Sequence, residues 1–140
     1  MEVYFDENTS QYVAEGLNSM CMGHFAHVKV FSTKKIPELG KGATDEEIYK
    51  YVAGRGGIII TQDDDFTHDK MIAELCHKHK VGVFLLRLSK GEADHWAIVK
   101  LLINSWAEII QTAEKMQKPY WYRVRRNRGS WKLEKMSAKK

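Results

Sequence analysis

Seven of the 18 acidic residues of this chain fall into three short clusters whose type and spacing suit a hard divalent cation. Asp6 follows the apolar Val3-Tyr4-Phe5. Asp45, Glu46 and Glu47 follow Thr44. Asp63, Asp64 and Asp65 follow Gly57-Ile58-Ile59-Ile60-Thr61-Gln62. Like charges crowded in this way repel, and each raises the pKa of its neighbour. A bound cation relieves that strain. Mg²⁺ and similar ions take oxygen ligands and keep several waters. Three or four carboxylates from different elements could hold one or two such ions, polarise a phosphodiester and activate a water. One cluster alone reads more simply as helix caps and solvated loop ends. The metal reading depends on all three meeting.

The surrounding elements would bring them together. Residues 3–5 and 27–31 read as short strands, and the apolar runs 58–61 and 81–88 as buried ones, the latter interrupted only by Arg87. Apolar residues at helical spacing predict helices over 10–22, from Thr44 to the glycines at 54–57, over 69–79 and over 93–116. Strands alternating with helices imply a mostly parallel sheet, whose functional crevice lies beyond the strands' carboxyl ends. Asp6, Asp63 and Asp65 therefore belong on one rim. Asp45 has Ile48 at i+3 and Val52 at i+7, so it falls on the inward face of its helix. Glu46 is rotated about 100° from it. Glu47 stands three residues after Thr44 and is explained by a capping box.

Bulk properties narrow the class. A chain of 140 residues with 44% hydrophobic and 29% charged residues suits one soluble globular domain with a real core. Cys21 and Cys76 form no CxxC pair, which argues against zinc and against a disulfide framework. A reduced cytoplasmic setting is the simplest reading of that cysteine usage, and neither a signal peptide nor a membrane span is legible. The net charge of +4 is segregated: residues 1–114 hold 12 Lys+Arg and 17 Asp+Glu, whereas residues 115–140 hold 10 basic residues and only Glu134. Such a basic end points to a polyanion or an acidic protein partner.

That end has its own character. Residues 120–126 and 130–133 read as two strands around Asn127-Arg128-Gly129, and the chain from Met136 onward as disordered. The division expected is 1–116 for the α/β body and 117–140 for a basic, aromatic-rich hairpin and tail, in the same domain or appended to it. Tyr120-Trp121-Tyr122-Arg123-Val124-Arg125-Arg126-Asn127-Arg128 interleaves stacking groups with phosphate-pairing ones. The same pattern equally describes an edge hairpin whose aromatics cover the core and whose arginines blunt the edge.

Other candidates carry less. His68 reads as a polar group at a helix start, and His77 and His79 share no helix face. Gly40-Lys41-Gly42-Ala43-Thr44 lacks the phosphate-loop pattern. Ser89 and Ser130 have no partnered His and acid. Trp96, Val99, Leu102, Ile103, Trp106, Ile109 and Ile110 form a stripe that is either core or a homodimer seam.

Phe5-Asp6-Glu7-Asn8, Gly42-Ala43-Thr44-Asp45-Glu46-Glu47-Ile48, Ile60-Thr61-Gln62-Asp63-Asp64-Asp65-Phe66 and Gly82-Val83-Phe84-Leu85-Leu86-Arg87-Leu88, in that order, resemble the PIN-like domains. The likeness is greatest to the small group found as VapC-type toxins, and it spans roughly residues 3–110. The resemblance implies a three-layer α/β/α fold with a mostly parallel central sheet, here with a C-terminal β-hairpin outside the pattern. It implies an endoribonuclease that uses Mg²⁺ or Mn²⁺, paired with a cognate antitoxin. Carried over by position, the metal carboxylates are Asp6, Asp45, Asp63 and Asp65, with Glu46 the alternative to Asp45. Asn8 and Thr61 would orient them. Arg87, Arg123, Arg125, Arg126 and Arg128 are expected to hold RNA phosphates. Asp64 is left to solvent. The competing classes are a non-catalytic binding module that uses the basic end, and a nuclease acting on DNA.

Overall fold

A computed structural model describes residues 1–6, 8–39, 42–63, 68–88, 95–127 and 129–136, and for Asp63 and Asn127 the backbone only. Among the described residues, six strands and four helices follow one another as β1 (Glu2–Phe5), α1 (Gln11–Cys21), β2 (Lys29–Ser32), α2 (Asp45–Gly54), β3 (Ile58–Asp63), α3 (Asp69–His79), β4 (Gly82–Arg87), α4 (His95–Lys115), β5 (Tyr120–Asn127) and β6 (Ser130–Met136), with a 3₁₀ turn at Thr33–Lys35 after β2.

Local chemistry sets the boundaries. The Ser10 side chain accepts from the Tyr12 amide and starts α1. At α2 the Thr44 hydroxyl accepts from the Glu47 amide while the Glu47 carboxylate accepts from the Thr44 amide, the expected capping box. Helix α3 ends at Lys80 in the left-handed conformation, with φ of 59°.

The strands form one sheet in the order β2-β1-β3-β4-β5-β6. All pairs are parallel except β5 with β6. Side chains alternate across the sheet, as a strand of period two requires. Val3, Phe5, Ile58, Ile60, Phe84, Leu86, Tyr122 and Val124 pack with α1 and α4. Tyr4, Ile59, Val83, Leu85 and Trp121 pack with α2 and α3 on the other face. The result is an α/β/α sandwich, the layered fold expected from the sequence.

Three details differ from the sequence reading. Strand β3 runs on to Asp63, because its ladder with β4 continues through Thr61–Leu85 and Gln62–Leu86 to Asp63–Arg87. Strand β6 reaches Met136, which pairs with Trp121, so this residue is in register with β5 where a disordered end was expected. Residues 137–140 lie outside the described part. Strand β5 is interior, hydrogen-bonded to β4 on one side and β6 on the other. Of the hairpin, β6 is the strand at an edge, and β2 lies at the other end of the sheet.

The stripe on α4 also divides. Trp106 is 7% exposed, stacks on Phe5 at 6.4 Å and donates its indole N–H to Cys21 Sγ at 3.3 Å. Trp96 is 74% exposed. Among the described residues no helix is long and apolar enough to cross a membrane.

Candidate functional site

The chain runs from β1 to β2 on one side and then returns to place β3 on the other. The carboxyl ends of β1 and β3 therefore flank a topological switch point, where open α/β sheets leave a crevice. Asp6 stands at this point, directly after β1. Its backbone N–H donates to the Ile60 carbonyl at 3.3 Å, which ties it to β3. Its Oδ1 accepts from the Asn8 amide at 3.2 Å, and its Oδ2 accepts from the Thr61 hydroxyl. Both oxygens are thus oriented by neighbours.

A cavity of about 170 Å³ opens beside Asp6, lined by Asn8, Asp45, Tyr49, Thr61, Gln62 and His68, with Ile48, Ile59, Met71, Ile72 and Leu85 as further walls. Asp45 is the first residue of α2, so the helix dipole favours its negative charge. Asp6 and Asp45, 39 positions apart in sequence, share this cavity. Asn8 and Thr61 both line it as well. Asp63 closes β3, opposite Arg87 in the ladder. The Asp63 side chain, Asp64 and Asp65 lie outside the described residues, so the third acidic cluster is placed only by its backbone start.

Glu46 is held elsewhere. Its carboxylate meets Lys78 Nζ at 2.8 Å and His79 Nε2 at 2.6 Å on α3. The Lys78 contact, then that of His79, keeps its pKa below the usual carboxylate value.

Three of the five arginines expected to hold phosphates are paired with carboxylates. Arg87 is 9% exposed and donates to Asp69 Oδ1 at 2.6 Å. Arg123 donates to the other oxygen of Asp69 at 2.9 Å. Arg125 makes a two-point contact with Glu134 on β6, at 2.9 and 3.2 Å. Arg125 foremost holds the Glu134 carboxyl below its ordinary range, with Arg123 and Lys132 adding to it. Arg126 is exposed and lies on the α4 side. Arg128 is outside the described residues.

Tyr49, Gln62 and Asp69 have no role in the sequence reading, and His68 only that of a polar group at a helix start. Tyr49 is 3% exposed and lines the cavity. Burial foremost raises its pKa, with Cys76, Asp45 and Asp6 adding to it. Gln62 lines the cavity and accepts from the Thr9 hydroxyl at 3.2 Å. His68 holds the N-cap position of α3 without capping it through its side chain. Asp69 in the first turn of α3 is the hub of the arginine pairs. The one sequence signal at Asp69 is its place in the first turn of α3, where the helix dipole favours a carboxylate.

The donor set is one of oxygens: carboxylates at Asp6 and Asp45, an amide at Asn8, a hydroxyl at Thr61. That chemistry fits a hard divalent cation. Among the described residues no group of three His, Cys, Asp or Glu comes together, and two of the four expected ligand side chains lie outside them.

A family model described as "PIN like domain" matches residues 1–88. No curated protein and no solved structure matches the chain. The match covers well over half of the sequence and takes in β1 through β4. The chain belongs to the PIN-like domain family, whose fold is generally that of a nuclease and whose members typically use divalent metals.

Proposed function

We propose that this PIN-like protein is a metal-dependent endoribonuclease, the toxin of a toxin–antitoxin pair. The observation that carries the proposal is the meeting of Asp6 and Asp45 in one cavity at the switch point of the sheet. Asp6, Asp45, Asp63 and Asp65 would hold Mg²⁺ or Mn²⁺, which when bound supplies Lewis acidity toward a phosphodiester. Thr61 and the Asn8 amide fix the Asp6 carboxylate, so its oxygens need little reorganisation to meet a ligand. The toxin role and the antitoxin partner rest on the order of the sequence motifs, which resembles that of VapC-type proteins. The substrate is a phosphodiester polymer, for which the basic segment 115–140 provides attraction.

The test is degradation of RNA in Mg²⁺ or Mn²⁺ by wild type, by Asp63→Asn and by chelated protein. Loss of cleavage in the last two supports the reading, and equal activity in all three overturns it. Single-stranded DNA of the same sequence, run alongside, separates the two nucleic acids. A non-catalytic binding module is the second reading, favoured by the charge segregation at the basic end. It predicts no rise in melting temperature on Mn²⁺ titration, whereas a cation that binds only the folded protein must raise it.

A further inference from the structure

A second cleft lies on the opposite face of the sheet from the Asp6 cavity, between α4 and the β5–β6 hairpin. It measures about 490 Å³, within the range of small-ligand sites. Trp96, Lys100 and Asn104 line it from α4, and Arg126, Ser130 and Trp131 from the hairpin. We propose that this cleft binds an unpaired nucleotide of the RNA strand, stacking its base on indole and holding its phosphate with Lys100 and Arg126; the identity of the strand as substrate rests on the ribonuclease reading above.

The geometry supplies each part. Trp96 presents 74% of its surface to solvent, with the His95 ring edge-on against it at 4.9 Å. The Trp131 indole N–H donates to Glu108 at 2.9 Å. An anchored indole is a pre-set platform for a base, and stacking of this kind tolerates any sequence. Lys100 is exposed on α4, four residues after Trp96, and lines the same cleft. An acidic peptide would use the cations and leave both indoles idle, so the pairing of aromatic with basic groups favours a nucleotide.

Position fits as well. Arg126 lies near the carboxyl end of β5 and Trp96 at the start of the helix that follows β4, so the cleft opens on the same rim as Asp6. Strand β5 lies three strand steps from β1, roughly 14 Å at ordinary strand spacing. A single strand crossing that rim reaches both sites. The cleft also lies beyond residues 1–88, so it is an addition to the part of the chain that matches the family model.

The experiment is fluorescence anisotropy of a short, unstructured, end-labelled RNA in excess EDTA, where neither cleavage nor metal bridging contributes. Trp96→Ala should raise the Kd about tenfold or more, and Trp96→Phe should recover most of the loss. Lys100→Glu should weaken binding and flatten its salt dependence. Thermal melts of the variants should match wild type, since both side chains are exposed. A wild-type Kd in Trp96→Ala overturns the proposal, as does a loss confined to Lys100→Glu. Displacement of the RNA by polyglutamate as readily as by unlabelled RNA overturns it in favour of an acidic protein segment. Binding that depends on Trp96 in a protein that cleaves nothing keeps the cleft and removes the nuclease. Cleavage with binding indifferent to Trp96 does the reverse.

Discussion

Arg87 on β4 and Asp69 on α3 form an ion pair of 2.6 Å beneath the carboxyl rim of the sheet, with Arg123 of β5 on the second oxygen of the same aspartate. The pair joins a strand of the family match to the helix before it and, through Arg123, to a strand outside that match. It therefore fastens β5 into the sheet as well as packing α3.

Removing the hub should be costly. Asp69→Ala leaves Arg87, only 9% exposed, facing a lost carboxylate. Breaking such a pair from one side typically costs about 3 kcal/mol, and the partial exposure of Asp69 puts the expected loss near the lower side of that. Urea unfolding of the variant measures it. Replacing Arg87 and Asp69 together by Met and Leu should recover part of the stability, because the Arg87 charge is then gone while Arg123 keeps Glu134 at 3.7 Å. A double variant as unstable as Asp69→Ala would show the arginine to be needed for packing rather than pairing.

The hydroxyl of Thr61 should matter to a cation more than to the fold. Thr61→Val keeps the shape of β3 and removes the donor to Asp6 Oδ2. Loss of a group that orients a ligand typically weakens metal affinity about tenfold to a hundredfold. Melting temperature followed against Mn²⁺ concentration should show the midpoint move by that factor, with the metal-free melt little changed. An unchanged midpoint would remove Thr61 from the site.

Gly82 opens β4 where the chain has no room. A Cβ there would stand 2.5 Å from the hydroxyl oxygen of Tyr120, whose ring is 2% exposed and walled in. Gly82→Ala should destabilise by about 1–3 kcal/mol, as overpacking does. Gly82→Ala combined with Tyr120→Leu should regain part of it, as read from unfolding midpoints.

Acid should loosen the molecule through three glutamates. Glu2 is held below its ordinary value of 4.5 by Arg55 first and Tyr4 second. Glu46 and Glu134 are lowered too, by Lys78 and Arg125 respectively. A carboxyl lowered in the folded state adds stability that is complete above its unfolded value and is lost as pH falls through the folded one. The urea midpoint should therefore hold steady above the ordinary value of 4.5 and decline below it. Glu134→Gln should decline less steeply than wild type, while a midpoint insensitive to acid would contradict all three shifts.

Much of the architecture was legible because local signals agreed. The isoleucines of 58–60 sit buried on both faces. The Thr44–Glu47 spacing announced the start of α2 by chemistry that needs no distant partner. Asp6 and Asp45 could be placed on one rim because parallel strands put all carboxyl ends together. Contacts between elements were a different matter. The arginines of 123–126 have the composition of a nucleic-acid strand, and only the insertion of β5 beside β4 brings Arg123 to Asp69, 54 positions away. Glu46 looked like a possible ligand until α2 met Lys78 and His79 of α3. Trp96 and Trp106 looked like one stripe, yet ten residues turn a helix about 80° short of full register. One indole faces the core and the other the solvent.

Strand β5 takes its place beside β4 only after α4 has been made. At the usual pace of synthesis, the stretch separating β4 from β5 takes several seconds to emerge. Throughout that interval β4, whose six residues are all buried in the finished sheet, would offer a bare hydrogen-bonding edge to any other chain. The newborn protein thus passes through a vulnerable age, and the aromatic hairpin is the last piece that ends it. Producing the chain slowly, or cut short before Tyr120, should send it into aggregates that chains carrying β5 and β6 escape, a difference that sedimentation of fresh lysates would register.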